Sequence, residues 1–81
     1  MNWDRVAGNW KQAKGTVKEK WGKLTDDRLD VINGRREHLV GVLQESYGIA
    51  KDEAERQISE WEKANERQFD AATGRTESRR G

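Results

Sequence analysis

Of 81 residues, 26 are apolar in the broad sense and seven of those are alanine, so 19 larger side chains must make any core. That suffices for one small domain and not for walls around a deep catalytic pocket. Charged residues form 38% of the chain, yet 16 basic and 15 acidic groups leave a net charge of +1, so bulk charge points to no polyanion partner. The absence of cysteine excludes a disulfide framework and a thiolate nucleophile, and a single histidine cannot build an ordinary zinc site.

Proline is absent, and Ala, Leu, Glu, Lys, Gln and Arg dominate, so local preference is helical nearly throughout. The expected class is all-α: a small, partly open four-helix bundle with a disordered C-terminal tail. From Trp3, apolar residues fall at 3, 6, 10, 17, 21 and 24, with Ala7 and Ala13 in register. This is the stripe of one amphipathic helix, capped by Asn2 and carrying Asp4 in its first turn.

Gly22 and Thr25-Asp26-Asp27 mark a stop and a restart, because Thr25 can cap a short second helix whose first turn holds two carboxylates. That helix contains Leu29 and Ile32, with Val31 as a further core candidate, and ends at Asn33-Gly34, a dipeptide suited to the left-handed conformation. A third helix runs from near Arg36 to Tyr47, with Leu39, Val40, Leu43 and Tyr47 inward and Gly48 as its cap. The fourth, from about Lys51 to Phe69, aligns Ala54, Ile58, Trp61, Asn65 and Phe69 on one side. Residues 1–69 are thus expected as a helical domain. Residues 70–81 contain no large apolar side chain to offset the entropy of ordering, and are expected as a flexible basic tail.

Gly8, Gly15 and Gly22 recur every seven residues in the first helix, although each mid-helix glycine costs about 1 kcal/mol relative to alanine. Two explanations remain open: close approach of a second backbone, or a helix that is only partly formed alone and orders fully on a partner. Charge is divided along the chain. Residues 1–24 hold six basic and two acidic groups, residues 25–70 seven basic and twelve acidic, and the remainder three basic and one acidic. A basic helix can simply lie on an acidic bundle. Alternatively, Lys11, Lys14, Lys18, Lys20 and Lys23, accompanied by Trp10 and Trp21, form a candidate surface for nucleic acid or an anionic membrane.

Trp3, Trp10, Trp21 and Trp61 can each bury on the order of 200 Å² while keeping the indole N–H at the edge, so packing is their expected use. His38 has no second histidine or cysteine to complete a metal site, and pairs such as Asp26-Asp27 or Glu53-Glu55 read as a cap and a solvated face. No phosphate-binding glycine loop, Ser-His-Asp set or zinc-finger spacing occurs. Enzyme activity is not expected, and neither a cofactor nor a small-molecule substrate. Met1-Asn2-Trp3-Asp4-Arg5 is unlike the start of a signal peptide, and no apolar run approaches the ~20 residues that span a bilayer, so a cytoplasmic monomer is the expectation.

The run from Gly8 to Asp27, with its spaced Gly, Lys and Trp, closely resembles the signature of the CsbD-like family of small bacterial stress proteins. Residues Gly34 to Gly48, then Lys51-Asp52, Ala54-Glu55 and Trp61-Glu62, resemble the proteobacterial branch, so the similarity covers about residues 1–69. The resemblance implies a small helical protein made abundant in general, osmotic or stationary-phase stress, with no catalytic residue to carry over. Arg75, Arg79 and Arg80 lie where this chain departs from the short members.

Overall fold

The computed structural model describes residues 2–69, with side-chain surroundings through residue 66. The tail expected over 70–81 and the side chain of Phe69 lie outside the described residues. The described residues form five helices: α1 Trp3–Gly8, α2 Trp10–Lys20, α3 Asp26–Ile32, α4 Arg36–Tyr47 and α5 Lys51–Phe69. The all-α class holds, and because α1 and α2 together occupy the place of the first expected helix, so does the four-part arrangement.

The interruption between α1 and α2 corrects the single first helix. Asn9 is at once the last cap of α1 and the first of α2, with φ −118° and ψ 31°. Its amide is shared between the Arg5 and Val6 carbonyls at 3.0 and 3.2 Å, and its side-chain Nδ2 donates to the Arg5 carbonyl at 3.1 Å. Side-chain hydrogen bonding of this kind competes with the regular ladder. The helix also stops at Lys20, earlier than the stripe implied, although Trp21 and Leu24 beyond it are still buried.

The other ends follow their caps. Thr25 Oγ1 accepts from the Arg28 amide at 3.2 Å, Asn33 closes α3 in the left-handed region, and Gly48 closes α4 at φ 63°. α4 and α5 are joined by the three residues 48–50 and pack as an antiparallel pair, against which α3 and the α1–α2 arm lie.

One core runs through all five helices: Val6, Trp10, Ala13, Val17, Trp21, Leu24, Leu29, Ile32, Leu39, Val40, Val42, Leu43, Ala54, Ile58 and Trp61. Trp3, Tyr47 and Ile49 pack at its margin. Val42 joins the core unforeseen. Val31, a core candidate by its composition, is 63% exposed, because it sits on the side of the two-turn α3 opposite Leu29 and Ile32.

The heptad glycines are not close-approach points. A Cβ built on Gly8, Gly15 or Gly22 meets nothing within 4 Å. Close approach occurs instead at Gly34, where a Cβ would stand 2.4 Å from Ala7 Cα and φ is 76°. The turn after α3 therefore sits directly beneath the backbone of α1.

Candidate functional site

The candidate surface is the lysine-bearing face of α2 and the turn after it. α2 and α3 run antiparallel, and their charges pair with matching intervals of four: Lys14 Nζ meets Asp30 Oδ1 at 2.9 Å, and Lys18 Nζ meets Asp26 Oδ1 at 3.7 Å. The Asp30 carboxylate accepts a hydrogen bond from Lys14 and, with Asp26, raises the Lys14 pKa above its ordinary value. On the opposite flank Lys20 Nζ reaches Glu60 Oε1 of α5 at 3.4 Å. Lys23 stands over the Tyr47 ring at 5.3 Å, and the Tyr47 hydroxyl accepts from the Lys23 amide at 3.1 Å. Lys11 is exposed on the outer side of α2. The fold therefore distributes Lys14, Lys18, Lys20 and Lys23 over three partners, α3, α5 and the end of α4, rather than gathering the lysines into one cationic patch.

Asp30 and Glu60 were not singled out by sequence reasoning, and Asp26 was read only as part of a helix cap, not as a lysine partner. A signal was present for two of them: the spacing 26/30 mirrors 14/18, as two antiparallel helices require.

The C-terminal end of α2 is tied to α5 by a closed ring of polar contacts. Glu60 accepts from Lys20 and, at 2.6 Å, from Arg56; Arg56 also donates to Glu53; Glu53 accepts from Gln57 Nε2 at 2.9 Å; and Gln57 Oε1 accepts from Trp21 Nε1 at 2.9 Å. Lys20 and Trp21 are neighbours in sequence, so the ring begins and ends on α2. The hydrogen bonds from Arg56 and Gln57 lower the Glu53 carboxyl from its ordinary 4.5 to about 2, and the same partner raises Arg56.

The indoles serve the core, as expected, and the N–H groups of Trp3, Trp10 and Trp21 fasten separate parts of the chain together. Trp10 donates to the Leu29 carbonyl at 2.9 Å, and Trp3 to Glu62 Oε2 at 2.7 Å. The same Glu62 oxygen accepts from Arg36 Nε at 3.4 Å, so one carboxylate joins α1, α4 and α5. Trp61 lies between Trp3 and Trp21, with ring centroids 5.6 and 6.4 Å away.

His38 is exposed on α4, its Nδ1 3.4 Å from the Val31 carbonyl. A surface groove of about 500 Å³ between α4 and α5 is open and lined by Val40 and Gly41 among mixed charges including Glu37, Lys51 and Glu55. No helix among the described residues is long and apolar enough to cross a membrane.

Residues 4–56 match the family described as CsbD-like. The chain belongs to that family. Among CsbD-like relatives it is 58% identical over 66 residues to "UPF0337 protein YjbJ" of Escherichia coli (strain K12), an alignment covering 82% of this chain and 96% of the relative. It is 66% identical over 61 residues to "UPF0337 protein RPA4217" of Rhodopseudomonas palustris, covering 75% and 92% respectively. The Salmonella typhimurium YjbJ is 57% identical over 65 residues, covering 80% and 93%. The family match runs from α1 into the start of α5, and so takes in the lysine face with Asp26 and Asp30 but not Glu60.

Proposed function

We propose that this CsbD-like chain is a non-enzymatic, cytoplasmic general stress-response protein that works through its surface, as a hydrophilic helical domain over residues 1–69 with a basic tail over 70–81 and with an α1–α2 arm able to change its degree of order. One observation carries the adaptable part: Gly8, Gly15 and Gly22 face open space. Of the three, Gly15 lies inside a helix, where it forgoes about 0.5–1 kcal/mol relative to alanine with no packing in return, while Gly8 ends α1 and Gly22 stands in the turn after α2. Such an arrangement keeps the arm near the low end of local stability, where elements that rearrange are found.

Hydrogen exchange on the full chain tests this reading. Amides of residues 10–20 are expected to exchange faster than those of α4 and α5. Equal protection of the arm and the α4–α5 pair would remove the adaptable element.

The competing reading, contact of Lys11, Lys14, Lys18, Lys20 and Lys23 with nucleic acid or an anionic membrane, has a cost set by the same geometry. A phosphate must displace Asp30, Asp26 and Glu60 from lysines they already hold. Tryptophan fluorescence titrated with duplex DNA and with anionic vesicles at ~20 mM salt separates the two readings, because phosphate binding weakens steeply as salt is added.

A further inference from the structure

Four asparagines occur in the chain, at positions 2, 9, 33 and 65, and Asn33 alone is followed by glycine. That pairing has a chemistry of its own. With no side chain to shield it, the amide nitrogen after an asparagine can attack the asparagine Cγ and close a five-membered succinimide. Trp3, Trp10 and Glu66, which follow the other three, hinder that approach.

In this fold Asn33 is held in the conformation that forbids the attack. Closing the ring needs Cβ of Asn33 and the nitrogen of Gly34 nearly eclipsed about the Cα–C bond. At φ 49° and ψ 38° they lie on nearly opposite sides. Two contacts keep ψ there. The Arg35 amide donates to the Ile32 carbonyl at 2.9 Å across the turn, and Gly34, buried at φ 76°, lies so close under Ala7 that a methyl would fall 2.4 Å from its Cα. Rotating Asn33 into the reactive geometry breaks the Arg35–Ile32 hydrogen bond and moves Gly34 from the place it holds against Ala7. Asn33 itself is exposed, so water reaches it freely.

We propose that Asn33-Gly34 is a self-modification site gated by the docking of α1. When α1 lifts from the turn, the Gly34 nitrogen attacks Asn33 Cγ; the N–Cγ bond forms, the Cγ–Nδ2 bond breaks, and the amide proton leaves with the side-chain nitrogen as ammonia. Water then opens the succinimide at either carbonyl, giving aspartate or isoaspartate. Both products add a negative charge, and isoaspartate adds a methylene to the backbone of a turn that has no spare room beneath Ala7. The reaction therefore records, irreversibly, how long α1 has been undocked.

The test is peptide mapping by mass spectrometry of the full-length chain aged at neutral pH, folded and in denaturant. A site that reacts only when open is slowed by its open fraction, so Asn33 is expected to convert about tenfold more slowly, or slower still, in the folded chain. Trp3→Ala removes the ring packed on Trp61 and the hydrogen bond to Glu62, and is expected to speed conversion several-fold while helical circular dichroism persists. In the unaltered chain, conversion at Asn33 and hydrogen exchange at the Val6 amide should rise in parallel with urea, which serves if Trp3→Ala does not fold. The isoaspartate product, isolated by chromatography, should show faster exchange over residues 4–8 than the parent. Equal conversion rates folded and unfolded, an Asn33 rate indifferent to the opening of α1, or unchanged α1 protection in the product would each overturn the proposal.

Discussion

The indole N–H of Trp21 donates to Gln57 Oε1 at 2.9 Å, joining two residues 36 positions apart and fixing the end of α2 on α5. Because the Trp21 ring is 2% exposed, loss of the acceptor leaves its N–H away from water. Gln57→Ala is expected to cost about 1–2 kcal/mol, since an unsatisfied buried donor loses its desolvation energy as well as the bond. Urea unfolding checks this: the midpoint should fall with an unchanged m-value.

Gly15 and Gly34 should respond to alanine with opposite signs. Gly15→Ala adds a methyl into open space within α2 and is expected to stabilise by about 0.5–1 kcal/mol. Gly34→Ala forces a side chain into a left-handed φ and against Ala7, and is expected to destabilise by more than about 1 kcal/mol. Thermal and urea melts of the two variants decide it, and stabilisation by Gly34→Ala would contradict the close contact.

Trp61 is the central ring of the indole cluster and is 2% exposed. Trp61→Ala is expected to cost about 3–5 kcal/mol, most or all of what a domain of this size possesses. A folded variant with a midpoint near that of the parent would show that the core repacks around the gap.

Glu53 supplies a pH dependence. Its folded pKa, about 2, lies below the ordinary 4.5, so its contribution is present above 4.5 and is lost as pH falls toward 2. Between those limits the urea midpoint of the parent should fall more than that of Glu53→Gln, and the two curves should draw together at the acid end. A constant separation across the series would assign the effect elsewhere.

Lys14 and Asp30 form the shortest rung of the α2–α3 ladder, and both side chains reach solvent. A double-mutant cycle with Lys14→Met and Asp30→Asn should give a coupling of about 0.2–1 kcal/mol that fades toward 1 M salt. A larger, salt-independent coupling would mean that the pair is shielded from water.

Local chemistry made α3, α4 and α5 legible. Thr25, the Asp26-Asp27 first turn, Asn33-Gly34 and Gly48 act within a few residues of where they stand, and the boundaries drawn from them coincide with the structure. Asn9 was not legible as a break, because an isolated asparagine within an apolar stripe costs little, and only its bonds to Arg5 reveal the interruption. The seven-residue spacing of Gly8, Gly15 and Gly22 left a facing backbone and a partly formed helix both open, whereas the close backbone contact joins Gly34 to Ala7, which share no periodic relation. The lysine face was visible as composition, but its engagement by Asp26, Asp30 and Glu60 depends on how separate helices align, and pair spacing alone does not determine that.

The tilted packing of Trp3 and Trp21 against Trp61 brings the two ends of the described chain into one chromophore cluster. At such separations the indole transitions couple and excitation passes among the rings faster than it is emitted. Ultraviolet dichroism and emission of the unlabelled protein thus act as a native gauge of whether its first helix is in place.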